Sequence, residues 1–205
     1  MSYQTPQEAL WAGPFGSEYI TRNRAQNLLG PKIRMFSRIL ARARDVNSVF
    51  EIGPNVGLNL LAIRSVLPAI ELNAIEINED AYREVRAVIG DHATHGSILD
   101  FEIVRTFDFV FTSGVLIHIN PDSLISVYDK MHAMSSRYIM VNEYYNPSPM
   151  EVTYRGQTGR LFKRDFCGDL LDRFEDLELV DYGFTYRRDP VFPQDDCTWF
   201  LLRKR

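Results

Sequence analysis

The residues whose types and spacing could do chemistry begin at Glu51-Ile-Gly53-Pro-Asn-Val-Gly57-Leu-Asn, where two glycines lie four apart directly after an apolar run. Glycine at a strand-to-helix turn lets the main chain bend sharply and approach a ligand with no β-carbon in the way, and the helix that follows presents free amides. Glu76 stands 19 residues beyond Gly57. A carboxylate about 20 residues past such a turn can accept hydrogen bonds from both hydroxyls of a ribose. Taken singly, the glycines read equally as a tight turn with no ligand, and Glu76 as a solvated strand end. Their spacing makes the pair informative. The Gly-x-Gly-x-x-Gly fingerprint of dinucleotide folds is not met, because Asn55 and Leu58 interrupt it, and no Gly-Lys-Ser/Thr exists for a Walker-type phosphate loop.

Other groups suit an acceptor rather than a nucleoside. His118 and Glu143 follow two further apolar runs and could act as general bases; His118 reads equally as a hydrogen-bonded histidine on a helix-side face. Arg155, Arg160, Lys163 and Arg164 gather positive charge beside an aromatic segment, which suits a carboxylate or phosphate or else forms a solvated loop tip. Tyr144, Tyr145 and Tyr154 would stack on the apolar face of a sugar or pack beneath the loop. His92, His95 and Asp91 are too sparse for a metal centre, and none is expected. Cys167 and the serines lack a nucleophile setting such as Gly-x-Ser-x-Gly, which leaves hydrolase chemistry without support.

The elements that must position these groups alternate between helix and strand. Thr5-Pro6-Gln7-Glu8 is a capping box with proline at the first helical position, and helical periodicity continues over 18–28 and 32–44. Strands are predicted over 48–53, 72–77, 107–112 and 138–141, with a weak one at 93–95; helices are predicted over 58–67, 78–89 and 120–134. Strands separated by helices need crossover connections, so the sheet is parallel and covered on both faces. Residues 144–159, with two prolines and two glycines, show no sustained period and are expected to be a long loop. A helix over 163–174 and strands over 178–186 and 197–203 close the chain. The expected fold is therefore α/β, Rossmann-like and doubly wound, with about seven strands, N-terminal helices and an antiparallel C-terminal strand.

At 205 residues the chain suits one domain: a helical cap over 1–45, a cofactor-binding core over 46–145, and a substrate loop with C-terminal strands over 146–205. A hydrophobic fraction of 45% with 24% charged residues is ordinary for a globular protein. The net charge of −4, from 27 acidic and 23 basic residues, provides no broad cationic surface, so neither nucleic acid nor membrane is an expected partner. Two cysteines outside any Cys-x-x-Cys pair, with no signal-like N-terminus and no long apolar run, lead to the expectation of a reduced, cytoplasmic protein. The oligomeric state, monomer or homodimer, has no signature here.

Glu51-x-Gly53-x-x-x-Gly57, Glu76, Gly96-Ser-Ile98 and Phe107-Asp-Phe-Val-Phe-Thr-Ser-Gly-Val-Leu-Ile-His118 resemble the successive motifs of class I S-adenosylmethionine-dependent methyltransferases, over about residues 46–145. Trp11 to Asn23, Asn142 to Pro147, Tyr154-Arg-Gly and Arg160 to Phe166 resemble, more narrowly, the methylases found with pseudaminic acid biosynthesis. Asn55 departs from the broader pattern, standing where that family usually has its middle glycine.

The resemblance implies S-adenosylmethionine as cofactor and S-adenosylhomocysteine as its product. It implies that the loop from Glu51 through Gly53, Pro54 and Asn55 to Gly57 lines the methionine portion and that Glu76 holds the ribose. Ile77 and Ile98 would sandwich the adenine with Ser97 beside its amine, and Thr112, Ser113, Gly114 and Val115 would close the cavity at the sulfonium. Trp11 and Tyr19 would form a lid, or pack on the sheet, and Arg22 would pair with the cofactor carboxylate. The acceptor implied is a small anionic sugar such as pseudaminic acid or a nucleotide-activated precursor. Another metabolite or a peptide, or a non-catalytic nucleoside-binding protein of this fold, are the alternatives.

Overall fold

The computed structural model describes residues 3–24 and 28–205, without the side chains of residues 22–24. Three helices precede the sheet: α1 (Pro6–Ala12), α2 (Pro14–Arg24) and α3 (Leu29–Leu40). Thr5 caps α1 through the expected box, its hydroxyl accepting the Glu8 amide while the Glu8 carboxylate accepts the Thr5 amide. In α3 the residues Met35, Phe36, Ile39 and Leu40 recur at helical spacing and are all buried.

Alternation then sets in: β1 (Ser48–Ile52), α4 (Leu58–Val66), β2 (Glu71–Glu76), α5 (Glu79–Ile89), β3 (Ala93–His95), β4 (Phe107–Ser113), α6 (Leu124–Met134) and β5 (Ser135–Glu143). The chain ends with β6 (Met150–Tyr154), β7 (Gln157–Lys163), α7 (Phe166–Arg173), β8 (Leu177–Phe184) and β9 (Thr198–Lys204). The seven-stranded sheet runs β3-β2-β1-β4-β5-β9-β8, and β1 to β5 pair in parallel. Only β9 runs against its neighbours, pairing antiparallel with both β5 and β8.

Strand alternation divides the core. Val49, Phe109, Phe111, Met140 and Leu201 face α3, α4 and α5, whereas Phe50, Ile52, Val110, Ile139 and Leu202 face α6 and α7. On the first side Phe36 meets Phe111 edge to face, centroids 5.4 Å apart, a contact worth about 0.5–1.5 kcal/mol beyond its buried area. Winding reverses at β1, with β2 on one side and β4 on the other, so a crevice opens beyond the carboxyl ends of these three strands.

Residues 144–159 depart from expectation. They contain β6 and the start of β7, which pair antiparallel as a separate two-stranded ribbon. Tyr154 pairs with Gln157 across a two-residue turn in which Arg155 (φ 52°) and Gly156 (φ 78°) are both left-handed. This is the turn geometry that matches strand twist, normally written with Asn-Gly or Gly-Gly. Arginine at its first position hid the signal. The predicted 163–174 helix is shortened at its start because Lys163 closes β7, and Asp165 caps α7 by accepting the Gly168 amide at 2.8 Å. The helix expected from Asn120 begins as a 3-10 turn over Pro121–Ser123 and becomes α-helical at Leu124. No helix among the described residues is long and apolar enough to cross a membrane.

Candidate functional site

A cavity of about 410 Å³ occupies the crevice at the ends of β1, β2 and β4, roofed by α1 and the start of α2. Its floor is the turn after β1, where Gly53 (φ 69°), Asn55 (φ 52°) and Gly57 (φ 77°) are all left-handed. Asparagine tolerates this region better than other side chains, so Asn55 keeps the bend that a glycine would otherwise supply. A β-carbon on Gly53 would come within 2.7 Å of Val115 Cγ2, so the main chain passes close beneath the loop after β4. Gly53, Pro54 and Asn55 line the cavity, whereas Gly57 serves one turn back as the N-cap of α4.

Glu76 ends β2 with its carboxylate in the cavity wall. One oxygen accepts the Asn55 amide at 2.8 Å and the other the Asn78 amide at 2.9 Å. Burial raises its pKa, and the amide bonds work in the opposite direction. A carboxylate oxygen accepts more than one hydrogen bond, so both oxygens keep capacity for a ligand diol. Ile77 and Ile98 line the adjoining end, with Ser97 between that slot and α1. The Ser97 hydroxyl donates to Glu8, which also lines the cavity.

The roof is held by Asn78. Its Oδ1 accepts the Asp80 and Ala81 amides and so caps α5, while its Nδ2 reaches the Trp11 carbonyl at 3.1 Å and the Gly13 carbonyl at 3.3 Å. Trp11 and Tyr19 line the cavity and meet in a T-shaped contact at 5.3 Å. Gly16 lets α2 approach this closely, since a β-carbon there would fall 1.9 Å from the Trp11 carbonyl oxygen and 2.8 Å from Asn78 Nδ2.

At the other end Ser113, the last residue of β4, and Gly114, Val115 and His118 of the following loop line the cavity. His118 lies against the Trp11 ring at 4.6 Å and the Tyr154 ring at 5.3 Å. Its Nδ1 is 2.7 Å from the Arg160 carbonyl, which can only accept, so that nitrogen carries the proton and Nε2 holds the free lone pair. Burial pushes its pKa down to about 4, so the ring is neutral at ordinary pH. Tyr144, Tyr154 and Arg155 complete this wall, Arg155 reaching it from the strained turn of the ribbon.

Several expected site residues stand elsewhere. Glu143 is buried behind the wall, where its carboxylate accepts the Val115, Leu116 and Ile117 amides and holds the His118 loop from beneath. It does not line the cavity. Thr112 is fully buried in β4. Glu51 is likewise buried beneath the floor, accepting from Asn59 Nδ2 at 2.6 Å, and desolvation raises its pKa. Arg160 turns away and donates to the Pro6 carbonyl at 3.1 Å. Lys163 sits over the Tyr144 ring at 5.2 Å, and Tyr145 lies outside near Phe200, 6.0 Å between centroids. The Arg22 side chain lies outside the described residues.

Sequence reasoning missed four residues of the wall. Glu8 was read only as a helix cap. Lys32 and Asn59 line the cavity and bond to each other at 2.7 Å, Asn59 in turn bonding Glu51. Burial lowers the Lys32 pKa while Glu51 opposes that shift. Lys32 did carry a signal: it stands three and four residues before Met35 and Phe36, on the buried stripe of α3, where a lysine needs a reason. Asn142 also lines the cavity, its Nδ2 donating to Ser113 at 2.9 Å. Among the described residues no group of three or more His, Cys, Asp or Glu could hold a metal, and Cys167 and Cys197 are buried free thiols.

No family model matches the chain, and no curated protein matches its sequence. Solved structures match its fold. It is similar to the 1,6-didemethyltoxoflavin-N1-methyltransferase of Burkholderia thailandensis, bound to 1,6-didemethyltoxoflavin and S-adenosylhomocysteine, with TM-score 0.73 and 14% identity over 100% of this chain and 92% of that one. It is similar to magnesium protoporphyrin IX methyltransferase from Synechocystis PCC 6803 with bound S-adenosylmethionine, with TM-score 0.69 and 13% identity over all of both chains. An amino pentose methyltransferase of calicheamicin biosynthesis from Micromonospora echinaspora aligns with TM-score 0.65 and 12% identity over 92% of this chain and 96% of that one. The fold is thus the Rossmann-like methyltransferase fold.

The tight passage at Gly16 yields a prediction about the roof. Gly16→Ala should cost about 1–3 kcal/mol through overpacking and speed amide exchange in α1 and α2 while leaving β1, β4 and β5 protected. Hydrogen exchange resolved by peptide reads this directly; uniform loosening of roof and sheet would show that Gly16 does not act through the roof.

Proposed function

We propose that the protein is an S-adenosylmethionine-dependent methyltransferase acting on a small molecule. The observation that carries this is the Glu76 carboxylate, fixed at the strand switch point beside a left-handed, side-chain-free turn and beneath an aromatic roof. The residues present fit the cofactor. Gly53 leaves the space a β-carbon would fill, and Ile77 and Ile98 line the cavity with apolar side chains suited to a purine face. Asn142 Oδ1 and Trp11 Nε1, both on residues of the wall, are a buried acceptor and a buried donor with no partner among the described residues. Such groups are costly unless a ligand meets them. Lys32, in the wall above Asn59, offers an ammonium to the carboxylate of the cofactor's amino-acid end.

The cofactor when bound supplies a methyl group already activated on sulfur. The chain then has to align a nucleophile, exclude water and take up a proton. Trp11 and Tyr19 cover the site, and aromatic faces favour a cationic centre beneath them. His118 presents Nε2 as the proton acceptor. Its low pKa limits its strength as a base, yet an oxygen that is gaining a methyl group becomes strongly acidic, so a weak base in the right place suffices. Supporting an anionic sugar, such as pseudaminic acid or its nucleotide-activated precursor, are Arg155 at the mouth and Tyr144 and Tyr154 beside it. Of the expected basic cluster, Arg155 is the member that lines the cavity; Arg160 and Lys163 serve the roof and the ribbon.

Calorimetry with S-adenosylhomocysteine tests the cofactor reading. Glu76→Ala should weaken binding by about 100-fold, because two charge-assisted hydrogen bonds are lost; unchanged affinity would remove the ribose assignment. For a hydroxyl acceptor, His118→Phe keeps the ring contacts but should lower kcat by about 10²–10⁴-fold. The wild-type rate should rise through pH about 4 and be flat above about pH 5, since the base must be unprotonated. A limb at the ordinary histidine value, about 6.5, would remove His118 from this role. Arg155→Asn preserves a left-handed turn while removing the charge, and should raise KM for an anionic acceptor about tenfold with cofactor affinity intact. Equal KM values would point to a neutral acceptor.

A further inference from the structure

The polar rim between α1 and the turn after β3 offers acceptors. Glu8 is only 6% exposed although it sits in the first turn of a short helix near the chain's beginning. One of its oxygens accepts the Gln4 and Thr5 amides, at 2.7 and 2.9 Å, and thereby closes the N-terminus of α1. The other accepts the Ser97 hydroxyl. Ser97 Oγ, having given its proton to Glu8, accepts the Leu99 amide at 3.0 Å. Both side chains line the cavity beside Ile98. Toward a ligand this rim therefore presents lone pairs: the second site on the Glu8 oxygen and the remaining one on Ser97. A carboxylate buried here is complemented by an N–H donor and repelled by a carbonyl oxygen.

We propose that Glu8 reads the 6-amino group of the cofactor's purine, so that the carboxylate capping α1 is also the group that selects adenine over a 6-oxo base. This rests on the cofactor reading above. It assigns base selection to the roof and not to the sheet, and couples the closing of α1 to the identity of the base: an amino group satisfies Glu8, whereas a keto oxygen at the same place leaves it facing another acceptor. Discrimination by a buried, hydrogen-bonding site against a ligand that cannot complete its bonds is steep.

The test is calorimetric binding of S-adenosylhomocysteine and its 6-oxo analogue, S-inosylhomocysteine, to the full chain. Wild type should prefer the amino form by about 100-fold or more; affinities within about threefold overturn the proposal. Glu8→Gln, whose amide can donate to a keto oxygen, should lower that preference at least tenfold, and an unchanged ratio also overturns it. Ser97→Ala serves as a second variant, needed should Glu8→Gln fail to fold. It leaves the Glu8 oxygen with the ligand as its sole donor, so the preference should rise, and a ratio that stays or falls counts against the proposal. Failure of wild type to bind S-adenosylhomocysteine at all would refute the cofactor reading itself, a result distinct from binding both analogues equally.

Discussion

The buried carboxylate of Glu76 is the interaction on which the rest of the site depends. Its two oxygens take the amides of Asn55 and Asn78. One bond fixes the turn after β1, the other fixes the start of α5. Asn78 carries the connection onward, because its amide group caps α5 with one end and reaches the carbonyls at the α1–α2 junction with the other. Floor, wall and roof are therefore referred to one charge. A buried carboxylate tolerates such a position only when its bonds are supplied by fixed backbone donors, and the donors here are the amide of Asn55, in the turn between β1 and α4, and that of Asn78, the N-cap of α5.

A second carboxylate does comparable work at the His118 end without lining the cavity. Glu143, at the end of β5, gathers three consecutive amides of the loop that carries His118. Burial pushes its pKa up to about 7 against the pull of those amides. The histidine is then aimed by the Arg160 carbonyl from β7 and flanked by Trp11 from α1. Three elements that are not neighbours in sequence thus meet at one imidazole, which explains why β7 and α1 are tied directly, through Gln7 Nε2 to the Gly159 carbonyl at 2.9 Å and Arg160 to the Pro6 carbonyl.

Much of this was legible in the sequence. The parallel sheet followed from apolar runs alternating with helical periods, and Gly53, Asn55, Glu76, Ile77, Ser97 and Ile98 line one cavity because they are local consequences of where strands end. What stayed hidden were long-range assignments. Glu143 follows a strand as Glu76 does, and nothing in its neighbours tells that its carboxylate turns back to the loop. Arg160 and Lys163 read as anion binders because charge is visible in sequence and direction is not: in β7 they flank Leu161 and Phe162, and their partners are a carbonyl of α1 and a tyrosine ring. The ribbon was concealed by an arginine where such turns carry glycine or asparagine. A non-glycine residue held left-handed is a modest cost that tends to be kept where a side chain is needed.

The roof helix touches both halves of the cavity, Ser97 through Glu8 at one end and His118 through Trp11 at the other. Under the proposed function, lifting α1 uncovers the spent nucleoside and the methylated compound together. Release of the two would then break the same contacts, Glu8 to Ser97 and Trp11 to His118.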